Sequence, residues 1–204
     1  MQRNAVAKSR MNVRFLTRVA VLGVSGFLLM MFDTPLPIFP AFLQIDLGDL
    51  PALIGAFAFG PLAGMAIEFV KCLLYFILGF STTGGVGDLS NFVIGSVFTM
   101  TAGFIYSSHK SKKTALLSCI AATLAMTVVG VLSNYFIMIP FFSRVFPLET
   151  IIGMGTAITP LIKDKLTLVM YGVTPFNLFK GALLSSIAVL TYKHISPVLK
   201  RGIK

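Results

Sequence analysis

Four ionisable side chains stand inside long apolar runs of this chain: Arg18, Glu68, Lys71 and Lys180. A charge in hydrocarbon costs several kcal/mol unless it is paired, so each is a candidate for work. Glu68 and Lys71 are three residues apart on one helical face, where they can pair with each other or serve a ligand. Lys180 stands one turn from Asn177 in "NLFK", with no acid near it in sequence, which favours a binding role. Asn134 in "SNYFIMIP" and Asp88 and Asn91 in "GDLSNF" add polar groups at the ends of apolar runs. A buried amide must satisfy two donors and an acceptor, either helix to helix or through a ligand with imide and carbonyl groups. Several amides and a lysine at one depth make a small-molecule pocket the chemistry to expect. Arg18 lies near the predicted cytoplasmic end of its helix, where it snorkels to the interface.

The elements that must carry these groups are membrane helices. The chain has 204 residues, 56% of them hydrophobic and 12% charged, with a mean hydropathy of +0.89. A soluble domain of this size could not cover so apolar a surface. At ~20 residues per span the length permits about six spans and no separate soluble domain. The net charge of +10 is gathered at the two ends and in "HKSKK", in groups that contain no acid. Arg3, Lys8, Arg10 and Arg14 lead; Lys110, Lys112 and Lys113 form the loop; Lys193, Lys200, Arg201 and Lys204 close the chain. The positive-inside rule puts both termini and that loop in the cytoplasm, and this pattern does not suit nucleic acid. Asp33, Asp46, Asp49, Asp88, Glu149 and Asp164 then lie outside. The basic start followed by Phe15 to Phe32 imitates a signal peptide, but the apolar stretch is too long and should remain as a first helix.

We predict an all-α membrane protein, a single polytopic domain over 1–204 with six transmembrane helices at about 13–32, 49–59, 61–79, 89–107, 114–139 and 175–192. "DTPLPIFPAFLQIDLGD" places three prolines in six residues and cannot be helical there. Its Ile38, Phe39, Phe42, Leu43 and Ile45 are too apolar for a watered loop, so it is expected to fold back as an outer lid. "FGPLAG" divides the next apolar run, with Pro61 opening a new helix after Gly60. Asp88 or Ser90 is expected to cap the fourth helix. Residues 140–173 read as an outer, partly interfacial connection, a second lid. Cys72 and Cys119 read as small buried hydrophobes, His109 and His194 as solvated cytoplasmic residues, and no motif holds a metal.

The basic N terminus, the proline-rich apolar loop, "LQIDLGDLPALIGAFAFGPLAG" and "GDLSNF" resemble the S components of energy-coupling factor (ECF) vitamin transporters over nearly the whole chain. With "SNYF" and "NLFK", the chain looks like the riboflavin-specific type. The resemblance implies a subunit of the bacterial cell membrane that captures riboflavin, or its phosphate FMN, from outside. It implies a transmembrane T component and two ATP-binding-cassette ATPases as partners, and the chain itself has no phosphate-binding loop. It implies ligand contacts from Asn134, Asn177 and Lys180, with Phe39, Leu43 and Gln44 of the lid and Asp88, Asn91, Glu68 and Lys71 completing the site. Riboflavin is then cargo and no cofactor is needed. Family members often dock the T component through an A-x-x-x-A face on the first helix. Here Ala20 is followed four residues later by Val24, and Gly23 and Gly26 are expected to supply the close approach.

Two rival readings stay open. One is an S component for another vitamin, thiamine or a folate. The other is a membrane enzyme using Glu68 with Lys71, or Asp88 with Lys180, as an acid/base pair, against which stands the lack of a dense carboxylate or metal motif. A structural scaffold would leave Asn177 and Lys180 without a purpose.

Overall fold

The computed structural model describes the backbone of residues 2–201 and the side chains of Val13 and residues 15–191. The basic residues Arg3, Lys8, Arg10, Arg14, Lys193, Lys200, Arg201 and Lys204, and His194, lie outside the described side chains.

Helix α1 (Gln2–Met30) leads into a loop tied by a two-residue ladder, β1 (Thr34–Pro35) antiparallel to β2 (Gln44–Ile45). Then follow α2 (Asp49–Phe59) and α3 (Pro61–Ile77). The break between them is built by Gly60, whose φ of +98° suits glycine, and by Pro61, which lacks the N–H that a first helical turn leaves unpaired. Helix α4 (Val86–Ser108) starts three residues earlier than expected, after Gly85, and without a side-chain cap. Asp88 therefore sits inside the first turn and does not cap the helix. Ser111 does cap α5 (Lys112–Ser133), accepting from the Thr114 N–H at 3.1 Å.

Helix α5 passes into a π turn, Asn134–Met138, and then into α6 (Ile139–Phe142). After α7 (Leu148–Thr156), α8 (Lys165–Leu168) opens a second run that passes through another π turn, Val169–Val173, into α9 (Thr174–Arg201). The cluster Lys163-Asp164-Lys165 is thus a helix start, where the sequence suggested a loop. The Asp164 carboxylate accepts from the Thr167 N–H at 2.7 Å, and the Thr167 hydroxyl oxygen accepts from the Asp164 N–H at 2.9 Å, a closed capping box. That backbone hydrogen bond holds the Asp164 carboxyl below its ordinary pKa.

Among the described residues, three helical stretches are long and apolar enough to cross a membrane: Val86–Ser108, Lys112–Phe142 and Lys165–Thr191. Phe15–Met30 and Asp49–Phe59 are shorter apolar helices, and α3 adds 17 residues, about 25 Å of rise. Their outer faces carry exposed Leu16, Phe69, Phe104, Leu124, Phe136 and Leu190, a surface suited to lipid and not to water. Packing follows the order α1, α3, α4, α5, α9, with α2 wedged against α1, α3, α4 and α9. The inner core joins Leu53 and Phe57 of α2 to Phe98 and Tyr106 of α4, Met126 of α5 and Leu184 of α9. A second cluster packs Leu43 of the first loop against Ile139, Ile151, Ile162, Leu168 and Phe176. The loop between α1 and α2 therefore closes over the bundle as the apolar composition required, and it rests on the connection between α6 and α9.

Candidate functional site

Beneath that loop lies a cavity of about 450 Å³, within the ~300–1,000 Å³ range of small-molecule sites. Its walls come from four of the segments that the sequence marked as polar. The loop contributes Phe42, Leu43, Gln44 and Asp46; α4 contributes Asp88, Ser90 and Asn91; Asn134 and Met138 face it from the first π turn; Phe176, Asn177 and Lys180 come from α9. Phe142 and Phe146 add aromatic surface on the outer side.

The two amides are held in the same way. Asn134 donates to the Gly130 carbonyl at 2.9 Å and Asn177 to the Val173 carbonyl at 2.9 Å, each one turn back along its own run. Among the described residues this spends one amide hydrogen of each, leaving a carbonyl oxygen and a second N–H for whatever fills the cavity. The π turns matter to this arrangement. Asn134 is the first residue of one, and the acceptor of Asn177 is the last residue of the other. Such turns shift the direction of the side chains that follow them and recur at functional sites. Gly130 has a steric part: a methyl there would sit 2.9 to 3.0 Å from the Asn177 amide atoms. Gly130→Ala is expected to turn the Asn177 amide and weaken ligand binding by roughly tenfold with a smaller effect on thermal unfolding. Equal affinity in a titration of the variant would show that the amide orientation is immaterial.

Asp88 is buried, and its Oδ2 has no hydrogen-bond partner among the described residues. It is a buried acceptor at the cavity wall, on α4. Next to it, Ser90 is 2.6 Å from Ser133, which clamps α4 to the end of α5, and the Asn91 amide lies 4.0 Å from the Met30 sulfur. Asp33, at the loop start, accepts from the Tyr75 hydroxyl at 3.2 Å; partial burial nonetheless keeps its carboxyl above the ordinary value.

Lys180 does have acids, and they come from far away in the chain. Its ammonium donates to Asp46 Oδ2 at 2.8 Å and stands 3.0 Å from Asp49 Oδ2. Asp49 is in turn bonded through Oδ1 to Lys71, and Lys71 pairs with Glu68 at 2.6 Å. Sequence reasoning found the Glu68–Lys71 pair from its spacing but missed its joining to Lys180. The available signal was the two acids of "IDLGDLP" placed directly before an apolar helix.

Three expected ligand contacts do not line the cavity: Phe39, Glu68 and Lys71. Phe39 packs edge-on against Phe176 at 5.3 Å and tilted on Phe179 at 5.8 Å, so it seats the loop on α9. Glu68 and Lys71 are fully buried behind the wall, in the ion network. Gly23 and Gly26 are also not free for a partner helix. A methyl on Gly23 would strike Val70, and one on Gly26 would lie 2.8 Å from the Gly48 carbonyl, so both are used to pack α1 inside this chain. Ala20, by contrast, is exposed, as is Val24. Arg18 stacks over Phe59 at 5.1 Å.

The family described as "ECF transporter, substrate-specific component" matches residues 14–192. Among curated relatives, the "Riboflavin transporter RibU" of Staphylococcus aureus (strain TCH60) is 33% identical over 190 residues, 93% of this chain and 94% of that protein. The "Riboflavin transporter FmnP" of Bacillus subtilis (strain 168) is 30% identical over 194 residues, covering 94% and 96%. A solved structure titled "Structure and mechanism of the S component of a bacterial ECF transporter" superposes with a TM-score of 0.73 at 32% identity, over 93% of this chain and 99% of that one.

Proposed function

This chain belongs to the family of ECF transporter substrate-specific components, and from that premise we propose that it is the riboflavin-binding subunit of an importer, a carrier and not an enzyme. The observation that supports the cargo most directly is a cavity under the first loop walled by half-used amides in a chain 33% identical to a riboflavin transporter. Isoalloxazine is a flat apolar ring with polar edges. Phe142, Phe176, Leu43 and Met138 supply the burial it needs, and Asn134, Asn177 and Lys180 can fix its orientation. Gln44, Asp88 and Asn91 are left to take the hydroxyls of the ribityl chain, or of FMN.

The subunit spans a bacterial cell membrane six times with both termini in the cytoplasm, the first and second helices being α1 and the short α2, shielded by its neighbours. The loop between α1 and α2 faces outward and closes after the vitamin enters. A T component and two ATP-binding-cassette ATPases then supply the energy, and the T component docks on the exposed side of α1 around Ala20.

Detergent-purified protein is expected to carry a flavin absorbance spectrum or to quench added riboflavin saturably. Asn134→Ala and Asn177→Ala should each weaken that binding by about ten- to a hundredfold, the cost of about 1 to 3 kcal/mol for one buried partner. Saturable binding of thiamine or a folate in place of riboflavin would transfer the subunit to another vitamin. Unchanged titrations in both variants would remove the amides from the site.

A further inference from the structure

We propose that Asp49 and Lys71, neither of which lines the cavity, are positioning residues for its ligand, because together they aim the Lys180 ammonium into it. This rests on the reading of the cavity as a flavin site and adds a support to it. An ammonium has three hydrogens. Lys180 donates one to Asp46 and stands in an ion pair with Asp49 at 3.0 Å, which leaves at least one for the cavity that Lys180 lines.

The direction of that hydrogen depends on how firmly the two carboxylates stand. Asp46 is fixed at both oxygens, by the Gly48 N–H at 2.7 Å and by Lys180. Asp49 divides its oxygens between the two lysines, Oδ1 to Lys71 and Oδ2 to Lys180. Lys71 is wholly buried, and Glu68 holds it from the other side. Its stem is gripped as well: a methyl on Gly48 would lie 3.1 Å from the Lys71 Cδ and 2.8 Å from the Gly26 carbonyl. Without Lys71, Asp49 would have one cation within reach, and Lys180 would be drawn toward it and away from the cavity.

The test compares riboflavin affinity in four proteins. Asp49→Asn keeps the shape and an oxygen for Lys180, and is expected to weaken binding by roughly tenfold; Lys71→Met leaves Asp49 to pull on Lys180 alone, strips Glu68 of its lysine, and should weaken it by roughly a hundredfold. In Lys71→Met/Asp49→Asn the unopposed pull of Asp49 on Lys180 is gone, while Glu68 lacks its lysine equally in both Lys71 variants, so binding should recover to about the tenfold level of Asp49→Asn alone. Simple packing roles would instead multiply to roughly a thousandfold, since independent effects add in free energy. That result, or wild-type affinity in either single variant, overturns the proposal.

If Lys71→Met does not fold, Asp49→Asn carries the comparison alone. A ligand-free structure of Asp49→Asn supplies a second readout, in which the Lys180 ammonium should have shifted from its place between residues 46 and 49 toward Asp46. An unmoved ammonium would also overturn the proposal. Failure of the unmodified protein to bind riboflavin would defeat the flavin reading only, and this structure would still decide the present one.

Discussion

Lys180→Ala is expected to lower both stability and affinity more than any other single change in the cavity wall. Among the described residues, the substitution leaves Asp46 without its one cation and Asp49 with one of two, at positions 5% and 1% exposed. Removing one partner of a buried ion pair costs about 3 to 5 kcal/mol, although replacing a whole network by apolar groups is often neutral. Riboflavin affinity should fall by roughly a hundredfold or more, because the loop that bears Asp46 is the one that covers the cavity. Thermal unfolding in detergent and a riboflavin titration check the two parts separately. A variant that unfolds and binds as the parent does would show that Lys180 carries no weight in either.

The second large effect lies away from the ligand. Gly64→Leu is expected to abolish monodisperse folded protein, because a Cβ at Gly64 would come within 2.8 Å of the Ala56 Cβ and 2.9 Å of the Thr99 Cβ. Helices α2, α3 and α4 meet there, and Ala56 and Thr99 are buried, so no helix can yield without unseating another. Overpacking by a methylene or two already costs about 1 to 3 kcal/mol. Gly153 on α7 is the matched control, since a Cβ there would meet nothing within 4 Å. Size-exclusion profiles should separate the two, with Gly153→Leu close to the parent. A normal profile for Gly64→Leu would mean that α2 is less tightly wedged than its contacts indicate.

Much of the framework is written in local signals. Gly60-Pro61 marks a helix break by backbone chemistry alone, and the apolar lid is visible because Phe39, Phe42 and Leu43 would be wasteful in water. Asn134, Asn177 and Lys180 stand out because polar groups in hydrocarbon need partners. Other features depend on contacts that spacing along the chain does not reveal. Asp46 and Lys180 are 134 residues apart, so their pairing could not be read from either neighbourhood. Gly23 and Gly26 show that a small-residue stripe has two possible uses, an internal contact or an external one. Sequence pattern does not distinguish them; Val70 and Gly48 do. The helical run from Lys165 was legible in principle through the Asp-x-x-Thr cap, but the charges around Asp164 masked it.

The paired π turns have a consequence for how this bundle tolerates length changes. Each wide turn holds one residue more than an ordinary α-helical stretch, and one residue corresponds to about 100° of rotation around a helix. Deleting a residue within 134–138 or 169–173 would let the coil tighten to an ordinary helix that turns through about the same angle, so everything beyond would keep its azimuth while the side chains inside the window, Asn134 among them, would be re-aimed. A one-residue deletion in either window should therefore leave the bundle folded and cost mainly ligand affinity, whereas the same deletion in an ordinary α-helical stretch would rotate the rest of that helix by about 100°.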